Sequence, residues 1–413
     1  MRTYEETHPW LTFRIDMGKA DPFTWMALGE IQSKCEHIAG APLRPEVARK
    51  LHEVFLAKGV MATTAIEGNT LSQEEVEKRI KGELSLPPSK EYMGREVDNI
   101  VQAMHEELLP DVFRDGASRL TSNDIKRYNA RILKDLDVDD VTIPGEIRKH
   151  RVEVRRYRGA PPQDCEYLLD RMCEWLASDT FKPPQGYEIV FGVLKAIIAH
   201  IYIAWIHPFG DGNGRTARLV EVRLLMEAGA PTAAAHLLSN HYNLTRMEYY
   251  RQLDHASRSG GDLMQFIKYA AEGLCQQLRE QITIIRSEQF RATWENYVHA
   301  LFKEMNSPTD YRRRHLVLAI SEQSSDSVPL ANLRRLTPQL AELYANKTTK
   351  TINRDVNALL DMGLILRSGR GVRAAKELIA AFLPVRKAPA MLLETPAPAR
   401  PSARREQPAQ VVP

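Results

Sequence analysis

The stretch that decides the fold is YEIVFGVLKAIIAHIYIAWI at residues 187–206, followed without a gap by HPFGDGNGRTAR at 207–218. The first part is apolar on nearly every side, which predicts a helix buried in the middle of a helical domain. Lys195 and His200 interrupt the run before it could serve as a bilayer span, so no membrane insertion is expected. Pro208 ends the helix. Gly210, Gly212 and Gly214 then let the backbone turn its amides towards one point before an amphipathic helix resumes through Leu225. A glycine-rich loop feeding a helix N-terminus is an anion nest, because unpaired N–H groups and the helix dipole both favour negative charge. Phosphate is the expected guest.

The other polar residues of the loop suit that guest. Asp211 is a hard carboxylate fit to hold Mg²⁺ against phosphate oxygens, and Arg215 and Arg218, three apart, offer bidentate phosphate donors. His207 has a reference pKa of about 6.5, suited to taking a proton from an attacking hydroxyl. The set predicts phosphoryl or nucleotidyl transfer, where positioning and charge neutralisation carry most of the catalysis.

Outward from this loop, residues 20–300 read as helix, with apolar residues recurring at three and four. The exception is Val141–Arg158, where a Pro-Gly turn leads into Val152 and Val154 and predicts a short β-hairpin. Asn306-Ser307-Pro308 breaks the pattern. Beyond it, helices at Tyr311–Ala319, Leu330–Leu336 and Thr348–Gly363, then a hairpin around Gly369-Arg370-Gly371, follow the order of a winged helix-turn-helix. After Pro384 the chain is too rich in Pro and Ala to pack, and 385–413 is expected to be disordered. Four regions result: an N-terminal helical region (1–110), a catalytic core (111–300), a winged helix (307–384) and the tail. The net charge is +3, yet residues 307–384 carry 12 Lys/Arg against 7 Asp/Glu, a basic end on a slightly acidic body. Four scattered cysteines without CxxC spacing suggest neither a zinc site nor a disulfide framework. With no signal-like start in MRTYEETHPW, a cytoplasmic protein is expected.

HPFGDGNGRTAR matches in full the HPFx(D/E)GNGRxxR motif and so resembles the Fic-domain family. The resemblance implies a mainly α, Fic-type helical bundle with a β-hairpin flap, followed by the small winged helix-turn-helix domain. It implies transfer of AMP from Mg-ATP to a Tyr, Thr or Ser hydroxyl of a target protein or of the chain itself. His207 would be the general base and Asp211 the Mg²⁺ ligand. Gly210, Gly212, Asn213 and Gly214 would form the phosphate nest, with Arg215 and Arg218 on the outer phosphates of ATP. Gly214 matches the AMP-transferring form; the Doc-like kinases carry lysine there. Thr142–Arg148 and the strand after it resemble the family's flap, with Ile147, Arg148 and Val152 facing the target. Arg246–Tyr250 resembles the adenine-pocket segment, with Tyr249 and Tyr250 as its lining. Thr63-Thr64-Ala65-Ile66-Glu67-Gly68 fits the (S/T)xxxE(G/N) inhibitory motif, in which Glu67 would pair with Arg218 where the γ-phosphate belongs.

Two further functions stay open on these residues: removal of AMP by the same site, and DNA-dependent regulation with the body as a nucleotide sensor. For the latter, Thr348, Thr349, Lys350, Asn353, Arg354, Arg370 and Arg373 within 348–373 would meet phosphates and base edges. The same module also serves for protein contact or homodimerisation. His200 reads as a packed core residue, and Arg312-Arg313-Arg314 as a solvated helix face.

Overall fold

The computed structural model describes residues 2–114, 119–154, 157–323 and 327–380. The chain divides into two compact units, Met1–Glu288 and Gln289–Pro413.

The first unit is built around the helix Glu188–Ile206, of which all but four residues are buried. That helix is long and apolar enough to cross a bilayer, yet 83% of its most apolar window is buried inside the protein. Helices Pro22–Ala39, Pro162–Leu176 and Asn213–Glu227 pack on it. Each fully buried Ile, Leu or Val side chain contributes about 1.5–3 kcal/mol relative to exposure. No side chain of its own caps the start of this helix. Instead Gln32, 8% exposed, accepts the amides of Ile189 and Val190 at 3.1 and 3.2 Å, satisfying first-turn donors that have no intrahelical carbonyl.

The helix Pro45–Ile66 ends at Glu67, where Gly68 takes φ +108° and turns the chain. It packs against Leu237–Leu244 and against Glu91–Gln102, which continues as a π-helical turn at Ala103–Leu108. One hydrophobic cluster joins Leu11, Leu28, Val60 and Val97 to Ile197, Leu224 and Leu274, so the boundary expected at residue 110 does not divide the core. The expected hairpin is shorter than its sequence signal: only Glu153–Val154 pairs with Tyr157–Arg158, antiparallel, and residues 141–152 are irregular, with a turn at Pro144-Gly145.

The second unit begins earlier than the expected residue 307. Trp294 and Val298, from the end of the helix Met264–Leu301, and Phe302 just after it share a core with Leu316, Leu333, Tyr344, Ile352, Leu359 and Val372. Its helices are Pro308–Ser321, Pro338–Leu343 and Thr349–Asp361. The expected helix at 330–336 is a 3₁₀ turn, Leu330–Arg335. A strand that the sequence reading lacks, Val328–Pro329, pairs with Gly371–Ala374, which pairs in turn with Ile365–Ser368 in an antiparallel three-stranded sheet. Arg312 is not on a solvated face. Its Nε binds Asp355 Oδ2 at 2.7 Å, Arg313 Nε binds Oδ1 at 3.0 Å, and Tyr344 donates to Oδ2 at 2.9 Å. Arg373 is held by Glu377, whereas Arg370 is exposed. The tail at 385–413 lies outside the described residues.

The contact between the two central helices of the first unit depends on Gly192: a Cβ there would lie 2.2 Å from the Cβ of Ala228. Gly192→Val is expected to cost about 1–3 kcal/mol in denaturant unfolding. Gly29→Ala, in an exposed helical position with nothing within 4 Å, is expected to gain up to about 1 kcal/mol.

Candidate active site

The loop between the two central helices is closed by Asn213. Its side-chain carbonyl accepts the Phe209 amide and its NH₂ donates to the Phe209 carbonyl, both at 2.9 Å. The side chain of Asn213 is therefore committed to loop closure, and what it leaves for an anion is its backbone amide. Gly212 sits at the N-cap with φ +75°, a conformation that favours glycine, and no side chain caps the helix Asn213–Glu227. The first-turn N–H groups of Asn213, Gly214 and Arg215 lack intrahelical acceptors and lie at the positive end of a 15-residue helix. Asn129, fully buried and absent from the sequence reading, braces this loop. Its NH₂ donates to the Asp211 carbonyl at 3.0 Å and the Thr216 hydroxyl at 3.2 Å, and its Oδ1 accepts the Gly145 amide at 3.0 Å.

On the carbonyl side, His207 is half-buried and adopts φ 51°, ψ 58°, a left-handed conformation costly for a side chain with a Cβ. Its Nδ1 lies 3.4 Å from the Ala204 carbonyl, which assigns the proton to Nδ1 and leaves Nε2 as the acceptor. Burial pushes the ring down to about 4. The Ala204 carbonyl opposes that, Arg148 lowers it further, and Glu67 and Asp211 pull it up. The structure corrects the expected place of Arg148. Rather than facing a target, it is 4% exposed and donates to the carbonyls of His207 (Nε, 2.6 Å), His150 (Nη1, 2.6 Å), Ala160 and Ile206 (Nη2). Ile147 and Val152 are partly buried, Ile147 against the core; Val141 and Ile143 are the exposed apolar residues of this segment.

Both loop arginines are buried and paired. Arg215 binds Glu96 Oε1 at 2.8 Å and Asp211 Oδ2 at 3.2 Å. Arg218 is 1% exposed and donates to the Thr63 hydroxyl at 2.7 Å, the Thr63 carbonyl at 3.0 Å and Glu67 Oε1 at 2.6 Å. Burial alone would push the Glu67 carboxyl up, but the charge and hydrogen bond of Arg218, with Arg215 and Arg246 behind them, bring it below its ordinary value. The missing side chain of Gly214 makes room for this pair, since a Cβ there would lie 2.4 Å from Glu67 Oε1. Arg246 donates to the Ile66 carbonyl and Tyr250 reaches it at 3.4 Å, so this segment grips the end of the Glu67 helix. Tyr249 is a correction: 3% exposed, it stacks on Tyr242 at 4.9 Å with its hydroxyl 2.9 Å from His200 Nε2, inside the core. Glu96 was also missed. It bridges Arg215 to Asn69 Nδ2 at 2.8 Å, directly after the inhibitory motif.

Among the described residues no group of three or more His, Cys, Asp or Glu could hold a metal. Asp211 is half-exposed at the mouth of the loop, with Oδ1 on the Gly212 amide and Oδ2 on Arg215. One accessible carboxylate fits Mg²⁺, which keeps waters and takes phosphate oxygens as its other ligands, and does not fit a resident all-protein metal cage.

Residues 119–225 match the model of the Fic/DOC family. A protein adenylyltransferase fic-1 from Caenorhabditis briggsae is 30% identical over 244 residues, 56% of this chain and 43% of that protein. A protein adenylyltransferase Fic from Nematostella vectensis is 28% identical over 223 residues, 54% of this chain and 48% of that one. The chain thus spans less than half the length of these relatives. In fold it resembles Fic-1 (residues 134–508) from C. elegans, with TM-score 0.53 at 24% identity, covering 64% of this chain and 73% of the other. It also resembles a Fic family protein from Desulfovibrio desulfuricans G20, with TM-score 0.52 at 19% identity, covering 86% and 96%.

The ring of His207 should be neutral across the whole range above about pH 4 and gain its proton only below that. An NMR titration of the resting protein is expected to show a midpoint well under the ordinary 6.5. In Glu67→Gln the midpoint should fall further, because a charge favouring the protonated ring is gone; a midpoint near 6.5 in both would contradict the burial of the ring.

Proposed function

We propose that the chain transfers AMP from ATP to a hydroxyl of a protein, its own or another's, and that Glu67 restrains the reaction. The observation that carries this is the state of Arg218: beside first-turn amides that no side chain caps, its guanidinium is taken by Glu67 Oε1 at 2.6 Å. A carboxylate there stands in for a terminal phosphate oxygen. Release of Glu67 frees Arg218 to pair with the negative charge that the substrate's terminal phosphate already carries.

His207 Nε2 takes the proton of the attacking hydroxyl, whose oxygen forms a bond to the α-phosphorus as the bond to pyrophosphate breaks. The first-turn amides of Asn213–Arg215, already fixed by the helix, and the guanidinium groups of Arg215 and Arg218, the latter once Glu67 has left, stabilise the charge on the phosphate oxygens. Asp211 would hold Mg²⁺, which when bound supplies further neutralisation of phosphate charge. Val141 and Ile143, exposed beside this loop, offer an apolar strip to an incoming segment.

A second activity is favoured by a separate observation in the second unit. The helix Thr349–Asp361 exposes Lys350, Asn353, Arg354 and Asn357 on one face, while its Asp355 is turned inward and neutralised by Arg312 and Arg313. An exposed face of amide and basic side chains, its central carboxylate withdrawn, suits the edges and phosphates of duplex DNA.

Glu67→Gly is expected to raise incorporation of label from α-labelled ATP into protein by roughly 5- to 150-fold, the range of a coupling of about 1–3 kcal/mol. His207→Ala in that background should abolish it. Equal labelling of wild type and Glu67→Gly would remove the restraint, and undiminished labelling in His207→Ala would remove the base. For the second unit, fluorescence anisotropy of a labelled duplex should show affinity falling steeply with salt. Lys350→Ala and Arg354→Ala should each reduce the log–log slope by about 1; a flat salt response would count against DNA.

A further inference from the structure

The carbonyl end of the central helix poses a problem that the anion cradle does not address. A helix of 19 residues terminates with its last carbonyls unpaired and its negative dipole end at the residue proposed as base. These carbonyls are filled one by one from residues 148–160. The Tyr157 hydroxyl donates to Trp205 at 2.8 Å, the Ala160 amide to Ile206 at 3.2 Å, and the Arg148 amide to Pro208 at 3.0 Å. The Arg148 guanidinium then reaches His207, Ile206, Ala160 and His150 together.

We propose that Arg148 is a positioning residue for His207: by binding the histidine's own carbonyl and those of its neighbours, its guanidinium holds the imidazole in the left-handed turn from which Nε2 accepts a proton. Three features single out arginine. All four acceptors are backbone carbonyls, and among the described residues no carboxylate pairs with the guanidinium, whose charge faces the negative end of the helix dipole. Nε, Nη1 and Nη2 are all engaged at once, which a planar fork with five N–H groups achieves where a lysine ammonium would reach one or two. His207 has φ 51°, a conformation that persists only where its surroundings over-determine it, and Arg148 supplies the bond to its carbonyl. Gly159 belongs to the same device. A Cβ there would lie 2.9 Å from Arg148 Nη2 and 3.0 Å from His207 Cβ, so the arginine and the histidine close over a residue without a side chain.

The assignment rests on the adenylyl-transfer reading for its kinetic consequence, and its structural consequence can be read without any transfer. In Arg148→Met the ¹⁵N and ¹³C signals of the His207 ring, assigned by comparison with His207→Ala, should move away from the Nδ1–H tautomer or broaden. Arg148→Lys should lie between Met and wild type. Gly159→Val, which wedges the clamp apart while keeping its charge, should shift the same signals. In the Glu67→Gly background, each variant should lose label transfer by about 100-fold for Met, as for a base displaced by about 1 Å. KM for ATP should stay within about threefold, because the clamp touches none of the amides or guanidinium groups of the phosphate cradle. Unmoved His207 signals in folded Arg148→Met and Gly159→Val would overturn the proposal, as would a loss confined to KM. If Glu67→Gly itself transfers nothing, the functional reading falls, and the ring signals still decide the role of Arg148.

Discussion

One helix ends and the next begins within six residues, His207–Gly212, so unsatisfied carbonyls and unsatisfied amides are brought to one place. Backbone groups cannot be left orphaned in a protein interior, and the rest of the first unit can be read as the ways in which these two sets are filled. The carbonyls are satisfied permanently, by Arg148, Tyr157 and Ala160. The first-turn amides receive no side-chain cap and are free for an anion. Asn213 and Asn129 keep the reversal tight, because both spend their amide groups on backbone and neighbouring side chains.

The charges follow from that asymmetry. The guanidinium groups of Arg148, Arg215 and Arg218 lie close to the loop, and each has a different kind of partner. Arg148 serves carbonyls, Arg215 is held between Glu96 and Asp211, and Arg218 is shared by Thr63 and Glu67. Glu67 is the partner best placed to leave. It sits at the end of its helix, its side chain is 35% exposed, and Gly68 behind it gives the backbone a hinge. Glu96 ties Arg215 to Asn69, two residues beyond Glu67, so the segment around Glu67 is linked to both Arg215 and Arg218.

The central helix and its loop were legible because their signals are local: a continuous apolar run, a proline, and glycines at alternate positions. Glu67 and Thr63 were legible as a short motif, and the structure brings them to Arg218 across about 150 residues. What escaped depends on direction and distance. Arg148 follows a Pro-Gly turn, and nothing in its neighbours says that it points inward; counting the carbonyls at the end of the central helix would have. Asn129 and Glu96 are single polar residues on amphipathic helices, indistinguishable from solvated ones until the loop is laid against them. Tyr249 sank into the core because His200 and Tyr242 receive it there. The strand Val328–Pro329 is two residues long, too short for alternation to register, and Arg312 finds its acid 43 positions away.

The central claim is that the first-turn amides and paired arginines of this loop are a triphosphate cradle held shut by Glu67. The most direct measurement is a crystal structure of Glu67→Gly with Mg²⁺ and a non-hydrolysable ATP analogue. The account predicts phosphate oxygens on the amides of Asn213–Arg215, Arg218 turned from Thr63 towards the terminal phosphate, and His207 Nε2 facing the α-phosphorus. A nucleotide seated elsewhere, with this loop bare and Arg218 still on Thr63, would contradict it.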